Sequence, residues 1–462
     1  MTAVSAPARR RYSWGDMQSG GNNELARVLL TLRPGFMAPL LDRAIKSEGF
    51  PPAGRRSCRV LDAKYTPRVS CFVLYEFDGR PVLGVLDLNR SPTGKRVTDV
   101  DALGMNLFPF PMDPRLPGLA SATGEDFWYR TLNDLATEIL GEPARILRCS
   151  VQLVRYRPMR RCTLRVAVRW RDASRQSRSG LFYAKLYHDT GKARNVFRNT
   201  KALAHVARPS SAGMSLAKPL AFVPEPAMVL QRGVDGVALD SLLRSSLHTS
   251  TVGPKAMSGV MRAAGSLAVL HATPFQATPR RSTQRELERM RERAAGVELV
   301  DARLAATMLG LADALSERFR GLEQGRTESL IHGDCKPSQF LIGPTGLSVL
   351  DFDHCGISDP AEDVGTFLAS LRQLGVRAAA GGNRKSDHLV TSLGSAFLEA
   401  YSERGEGDLR PLSQRARCYE ALALWRKAYR SFQRHPRSYL PHPLLSAAQG
   451  VLETTGRSVS SA

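Results

Sequence analysis

Apolar positions alternate with polar ones at a period of two over two widely separated stretches of this chain, then recur every three to four residues over most of its second half. "CRVLDAKYTPRVSC" (Cys58 to Cys71) and "CSVQLVRYRPMRRC" (Cys149 to Cys162) share Cys, Val, Tyr, Pro and Cys in register at a spacing of 91 residues. Each is followed by a second alternating run, "FVLYEF" in the first copy and "TLRVAVRW" in the second, so each predicts strand, Pro-containing turn, strand. A third β-like run closes each copy, "RPVLGVLDL" and then "SGLFYAKLYHD". Only the second copy carries a lysine, Lys185, inside that third strand.

Between the copies, "NRSPTGKRVTD" and "NLFPFPMDPRLPGLA" are rich in turn formers and predict loop. "GEDFWYRTLNDLATEILG" has helical spacing and a glycine after its last turn. Beyond Lys185, "GKARNVFRNTKALAHVA" predicts a helix and "AFVPEPAMVLQRGVDG" predicts loop, strand and turn. From residue 254 helical patterns dominate, in "AMSGVMRAAGSLAVLHA", in the long run from "RELERM" to "SERFRGL", and in "YEALALWRKAYRSFQRH". The segment Ser329 to Pro360, "SLIHGDCKPSQFLIGPTGLSVLDFDHCGISDP", is the only β-like interruption of that half.

Bulk composition narrows the class. A chain of 462 residues with 43% hydrophobic content has room for two or three domains. No apolar stretch approaches the roughly 18 residues that span a bilayer, and the arginines near the start have no apolar run behind them, so a soluble cytoplasmic protein without a membrane partner is expected. Seven scattered cysteines without a C-x-x-C pair argue against a disulfide framework and a structural zinc site. The net charge of +22 raises the question of nucleic acid, yet 54 of the 65 basic residues are arginine and no run of five Lys/Arg occurs. That even spread fits a solvated surface and does not point to a nucleic-acid partner; it does favour anionic over polycationic ligands.

Within Ser329 to Pro360 three acids, Asp334, Asp351 and Asp353, stand beside apolar runs that predict buried strand. Buried carboxylates need a partner, and a metal ion is a common one. Asp334, an amide side chain at Gln339 and Asp351 have the spacing of phosphoryl-transfer sites. There one carboxylate faces the acceptor hydroxyl, while an amide oxygen and a second carboxylate hold Mg²⁺.

On these residues the chain resembles the aminoglycoside phosphotransferase and choline kinase-like family, over about residues 146 to 440. The resemblance implies an α+β, protein kinase-like two-lobe fold with a β-rich small lobe (146–233) and a helical large lobe (234–462). Residues 1–145 are expected to form an additional α+β domain, a cap or a degenerate copy of the small lobe. The resemblance further implies a kinase that moves a phosphoryl group from ATP, with Mg²⁺, to a hydroxyl of a small molecule. His332, Gly333 and Asp334 match the family's His-Gly-Asp motif, with Asp334 as catalytic aspartate; Asp351 matches a metal ligand, joined by Gln339 and Asp353. Lys185 matches the lysine on the α- and β-phosphates, "VLQRGVDG" (Gln231, Arg232, Gly233 and Val234) the hinge facing adenine, and Asp363 a brace of the catalytic loop.

Three features depart from the family pattern. Gln339 stands where asparagine is usual, the helix after Lys185 carries no acid to pair with it, and the turn expected over the phosphates, "YRPMRRC", has no glycine. Arg160 and Arg161 are therefore expected to meet phosphate by side chain. The first two departures also fit a catalytically impaired pseudokinase that binds nucleotide or serves as a scaffold. "DCKPSQFLI" additionally resembles the catalytic loop of Ser/Thr protein kinases, but Asp359-Pro360 follows only eight residues after Asp351, which leaves no long activation segment. For the acceptor, a sugar, sugar phosphate, polyol or amino-alcohol is expected; an aminoglycoside is less favoured by the basic C-terminal helix. A homodimer is compatible with the first domain. His332 reads as a loop brace, and Cys335 and Cys355 as buried inert thiols.

Overall fold

The structure is a computed structural model that describes residues 23–47, 57–89, 100, 103–206, 214–275, 282–322, 328–344, 346–404 and 409–456. The loop expected at "NRSPTGKRVTD" lies almost wholly outside the described residues, as do the arginines near the start. The chain divides into two compact units. The first comprises the described residues up to Met112 with Leu299–Asp301 and Arg430–Ser438; the second holds the remainder. Residue 145 begins the second unit's main sheet.

The first unit opens with α1 (Asn23–Thr31) and α2 (Pro34–Ser47) and continues into an antiparallel sheet of β1 (Cys58–Thr66), β2 (Ser70–Phe77), β3 (Arg80–Asp87) and β4 (Met105–Pro109). Alternation along β2 buries Cys71, Val73, Tyr75 and Phe77. On the helices, Val28, Met37 and Leu41 are fully enclosed, as the 3.6-residue period requires.

The second unit begins with α3 (Leu119–Ala122), α4 (Glu125–Asp134) and α5 (Ala136–Leu140). The single helix predicted over α4 and α5 breaks at Leu135, and Gly141 closes it in the left-handed region at φ 86°. A five-stranded antiparallel sheet then forms from β5 (Arg145–Arg157), β6 (Arg161–Arg171), β7 (Ser177–Tyr187), β9 (Pro219–Val223) and β10 (Met228–Arg232), in the order β5-β6-β7-β10-β9. Helix α6 (Thr190–Val206) follows β7, and β8 (Met214–Leu216) precedes β9. "AFV", read from sequence as loop, is strand: it belongs to β9, which pairs with β10 across a tight Pro224–Ala227 turn.

The internal repeat is structural. Tyr65 pairs with Cys71 and Tyr156 with Cys162 across their hairpins. Arg68 and Met159, 91 positions apart, both turn the chain through positive φ, at 61° and 63°. Cys71 then faces Leu86 and Cys162 faces Leu186 in the third strand. The residue before that leucine is Val85 in the first copy and Lys185 in the second, so one sheet lost, or never had, the cation that the other presents.

The rest is helical around one short insertion. Strand β11 (Val237–Ala238) leads into α7 (Leu239–Thr249), α8 (Pro254–Ala272), α9 (Thr283–Glu298) and α10 (Ala302–Gly321). The insertion holds β12 (Ser329–Ile331), β13 (Phe340–Gly343), β14 (Gly346–Val349) and β15 (Gly356–Ser358). It is followed by α11 (Ala361–Ala380), α12 (Ser386–Ser402), α13 (Leu409–Arg434) and α14 (Pro441–Gly456). Strand β8 joins β14 in parallel and β11 joins β13, so residues from both lobes share this small sheet. A stack of Phe340, Phe367 and Phe397, with the last two ring centroids 4.2 Å apart, ties the insertion to α11 and α12. A β-rich small lobe followed by a helical large lobe is the protein kinase-like two-lobe arrangement, here preceded by an α+β unit. Among the described residues no helix is long and apolar enough to cross a membrane.

Two local contacts are decisive for this framework. Gly365, in the "DPAEDVG" run, brings α11 against α13 so closely that a Cβ there would lie 2.4 Å from the Ala416 carbonyl oxygen and 2.6 Å from the Glu420 nitrogen. Asp113 accepts bonds of 2.8 Å from the Tyr156 hydroxyl and from the Met159 amide, and so fixes the turn between β5 and β6. Gly365→Ala is expected to lower stability by about 1–3 kcal/mol, because backbone cannot yield as a side chain can. Asp113→Ala should cost about 1–3 kcal/mol through the buried hydroxyl and strained turn left without their acceptor. Urea denaturation of each variant beside the parent checks both.

Candidate functional site

Strand alternation assembles the cationic side of the site. In an antiparallel pair, residues directly opposite share a face, and residues two apart on one strand do so too. Arg161 on β6 lies opposite Tyr187 on β7, and Thr163 lies opposite Lys185. Arg161, Lys185 and Tyr187 therefore project from one face of the sheet. The β5–β6 turn anchored by Asp113 delivers Arg161 to the start of its strand.

The acids arrive from the insertion. Asp351 ends the run after β14 in the left-handed region at φ 65°, a conformation costly for most side chains but tolerated by aspartate. Its turn directs Asp351 and Asp353 toward the sheet. Arg161 grips Asp351 with a two-pronged fork of 3.1 and 3.2 Å and also bonds the Oδ2 of Asp353. The Lys185 Nζ donates to Asp351 at 3.0 Å and to Asp353 at 3.1 Å, and the Tyr187 hydroxyl donates to Asp353 at 2.9 Å. The Asp353 side chain is only 1% exposed, so its charge depends wholly on these partners. Burial pushes the Asp351 carboxyl up, but Lys185 and Arg161 overcome it and hold that carboxyl far below the usual carboxylate range. Burial alone would lower Lys185, whereas Asp353 and Asp351 carry its ammonium above the ordinary value.

Asp334 follows β12 in the "HGD" loop, where Gly333 sits at φ 76° as only glycine does readily. The backbone N–H groups of His332 and Gly333 both donate to Asp363, at 2.6 and 2.8 Å, which makes the "DPAEDVG" aspartate the brace of this loop. Asp363 is fully buried and also meets His271 Nε2 at 3.3 Å, and His271 in turn meets the Tyr401 hydroxyl at 2.8 Å. His332 Nε2 lies 2.8 Å from the Leu350 carbonyl oxygen and its Nδ1 3.3 Å from the Asp334 amide. Those partners assign the proton to Nε2 and leave no ring atom for chemistry. Lys336 bonds the Asp334 carboxylate. Burial raises that carboxyl, and the Lys336 ammonium more than reverses it, to below the usual range. Cys335 and Cys355 are enclosed, and burial pushes the Cys355 thiol up to about 11, as inert thiols require.

Gln339 joins the two acidic groups. Its carboxamide lies 3.4 Å from Oδ2 of Asp334 and 3.4 Å from Oδ2 of Asp351. The structure thus brings together Asp334, Gln339, Asp351, Asp353, Lys185 and Arg161 in one hydrogen-bonded group. Two of its members are cations of the small lobe. Arg161 contacts carboxylates, because the β5–β6 turn aims it at Asp351 and Asp353. The helix after Lys185 offers it no acid, and two carboxylates distant in sequence, Asp351 and Asp353, pair with it instead, while Asp189 accepts the Lys192 amide at the start of α6. Gln231 borders a narrow crevice with Lys185, Asp351, Ala217 and Val349. Of the other expected hinge residues, Arg232 and Gly233 have their N–H groups committed to the carbonyls of Lys218 and Leu181, and Val234 continues the chain beyond β10.

Sequence reasoning missed Tyr187, Asp113, His271 and the pairing of Lys336 with Asp334. Tyr187 was findable, since it lies two residues beyond Lys185 and so on its face. Asp113 and His271 reach the site only through tertiary contacts 43 and 92 residues distant in sequence, and no local pattern marks them.

No curated protein matches the chain. Among solved structures, the chain is similar to a choline kinase from Streptococcus pneumoniae, at 12% identity over 71% of this chain and 99% of that one, with a TM-score of 0.43. It is similar to a choline kinase from Cryptosporidium parvum at 11% identity over 66% and 89%, with a TM-score of 0.45. It is also similar to a macrolide 2'-phosphotransferase from Brachybacterium faecium at 15% identity over 70% and 98%, with a TM-score of 0.39. The profile of the phosphotransferase enzyme family matches residues 175–412, just over half of the length and the stretch that holds Lys185, Asp334, Gln339 and Asp351, and the chain belongs to that family.

Proposed function

We propose that this phosphotransferase moves the γ-phosphoryl group of ATP to a hydroxyl of a small molecule in the cytoplasm, with Mg²⁺ as the metal. The observation that carries this reading is the continuous bonding of Asp334 through Gln339 to Asp351 beside Lys185. In it, Asp334 orients the acceptor hydroxyl and takes its proton, and the carboxyl's low proton affinity keeps it ionised for that role. Lys185 and Arg161 face the phosphates from the sheet. The adenine lies at the narrow crevice of Ala217, Pro219, Val349 and Gln231, which must widen to admit it.

The donor set fits Mg²⁺. Asp351, Asp353 and the carbonyl oxygen of Gln339, exposed by a half-turn of its amide, are hard oxygen ligands, and phosphate oxygens complete such sites. When bound, Mg²⁺ neutralises charge that develops on the transferring phosphoryl group. Because Arg161 covers both carboxylates, it must share or release them as the metal-nucleotide docks.

The acceptor is a small molecule on this reading because only β15 and a few residues separate the Asp351 loop from α11, too little for a peptide platform. One observation supports a second reading. With Asp351 and Asp353 already neutralised by Arg161 and Lys185, the chain has the charge balance of a pseudokinase that binds nucleotide without metal.

A screen of ATP consumption over sugars, polyols, amino-alcohols and sugar phosphates should find a substrate. Asp334→Asn should then lower turnover at least ~100-fold, with the ATP-induced rise in melting temperature retained. If ATP stabilises the protein equally with Mg²⁺ and with EDTA, and no acceptor consumes it, the pseudokinase reading replaces the enzymatic one. Arg161→Gln should strengthen the Mg²⁺ dependence of ATP stabilisation, measured by thermal shift across a Mg²⁺ titration, since a competing cation has been removed.

A further inference from the structure

A cavity of about 720 Å³ opens beside the carboxylate cluster, with Phe352 to Cys355 on one side, α6 on another and α9 and α13 opposite. That volume is suited to a small-molecule ligand. Asp353 lines it and shares Arg161 and Lys185 with Asp351, which Gln339 links to Asp334.

Every acid on its wall is already engaged. Glu286 faces Arg426 at 2.9 Å, Arg293 at 3.1 Å and Arg289 at 3.6 Å. Asp353 is taken by Arg161, Lys185 and Tyr187, and Glu362 meets the Ser358 hydroxyl at 3.2 Å and Arg426 at 3.8 Å. Asp189 accepts from the Lys192 amide at the start of α6. On the same wall, Lys192 and Arg285 have no carboxylate partner among the described residues. Burial, with Arg160 and Arg161 nearby, pulls the Lys192 ammonium below its ordinary value despite the attraction of Asp353. The wall thus has surplus positive charge and no spare carboxylate.

We infer that this cavity receives the acceptor and selects an anionic one, a hydroxyl compound bearing a phosphate or carboxylate group held by Lys192 and Arg285. The inference rests on the phosphotransfer reading above and narrows its substrate class. In the reaction, the bond from the γ-phosphorus to the ADP oxygen breaks, a bond to the acceptor oxygen forms, and the acceptor proton passes to Asp334. The anionic group stays at the cavity wall and reacts with nothing. An amino-alcohol or aminoglycoside would bring positive charge to a wall that has none of the opposite sign to offer.

The test compares the parent chain with Lys192→Gln/Arg285→Gln, both partly or fully exposed positions at which glutamine keeps the stem. Calorimetry without ATP, using glycerol 3-phosphate, glucose 6-phosphate, glycerate, glycerol, glucose and choline, reads binding to the cavity. Turnover with ATP and Mg²⁺ reads transfer. Binding and turnover are expected with phosphorylated or carboxylated compounds, and the double variant should raise KM and Kd at least about tenfold with kcat within about twofold. Preference for phosphate esters over glycerate, or the reverse, identifies the anionic group. Turnover of glycerol, glucose or choline that the double variant leaves unchanged overturns the inference and keeps the kinase reading. Absence of turnover with every compound overturns the kinase reading, and the calorimetry then decides the inference by itself: no heat with any anionic compound, or heat unchanged in the double variant, overturns it.

Discussion

Two aspartates that cannot stand alone hold this site together. Asp353 is almost completely enclosed and Asp351 nearly so, and an ionised carboxylate in such a place is tolerated only with close, hydrogen-bonded counter-charges. Arg161 and Lys185 supply them from neighbouring strands of the small lobe, while the acids themselves come from a loop of the large lobe. Removal of either cation would leave the other to serve two acids. The interaction therefore fixes how the sheet faces the loop.

Around that pairing the chain uses rigid supports of ordinary kinds. Asp113 pins the turn that launches Arg161, and Asp363 gathers the backbone amides that shape the Asp334 loop. Gly365 lets α11 and α13 approach to backbone contact behind Asp363. Each of these residues sets the position of a member of the hydrogen-bonded cluster or of its brace.

Electrostatics also separates the two ends of the site. At the sheet, carboxylates and cations are matched. In the cavity beyond Asp353, the acids are all spoken for and basic groups are left over. The overall excess of arginine, which by itself says only that the surface is basic, has there a local form with a chemical consequence.

Much of this was legible in the order of residues alone. Period-two alternation marked both β copies, the spacing from Asp334 to Gln339 to Asp351 marked the segment whose side chains meet, and the 91-residue repeat marked two strand–turn–strand units that the structure builds with the same register. Those features are local, so neighbouring side chains and backbone preferences suffice to express them. Direction and partnership were different. Which carboxylates Arg161 and Lys185 would pair with, and that Asp113 and His271 reach the cluster at all, depended on strands and loops far apart in sequence being brought together. A charge buried in the fold takes the counter-charge that packing places nearest, and only the tertiary structure specifies which one that is.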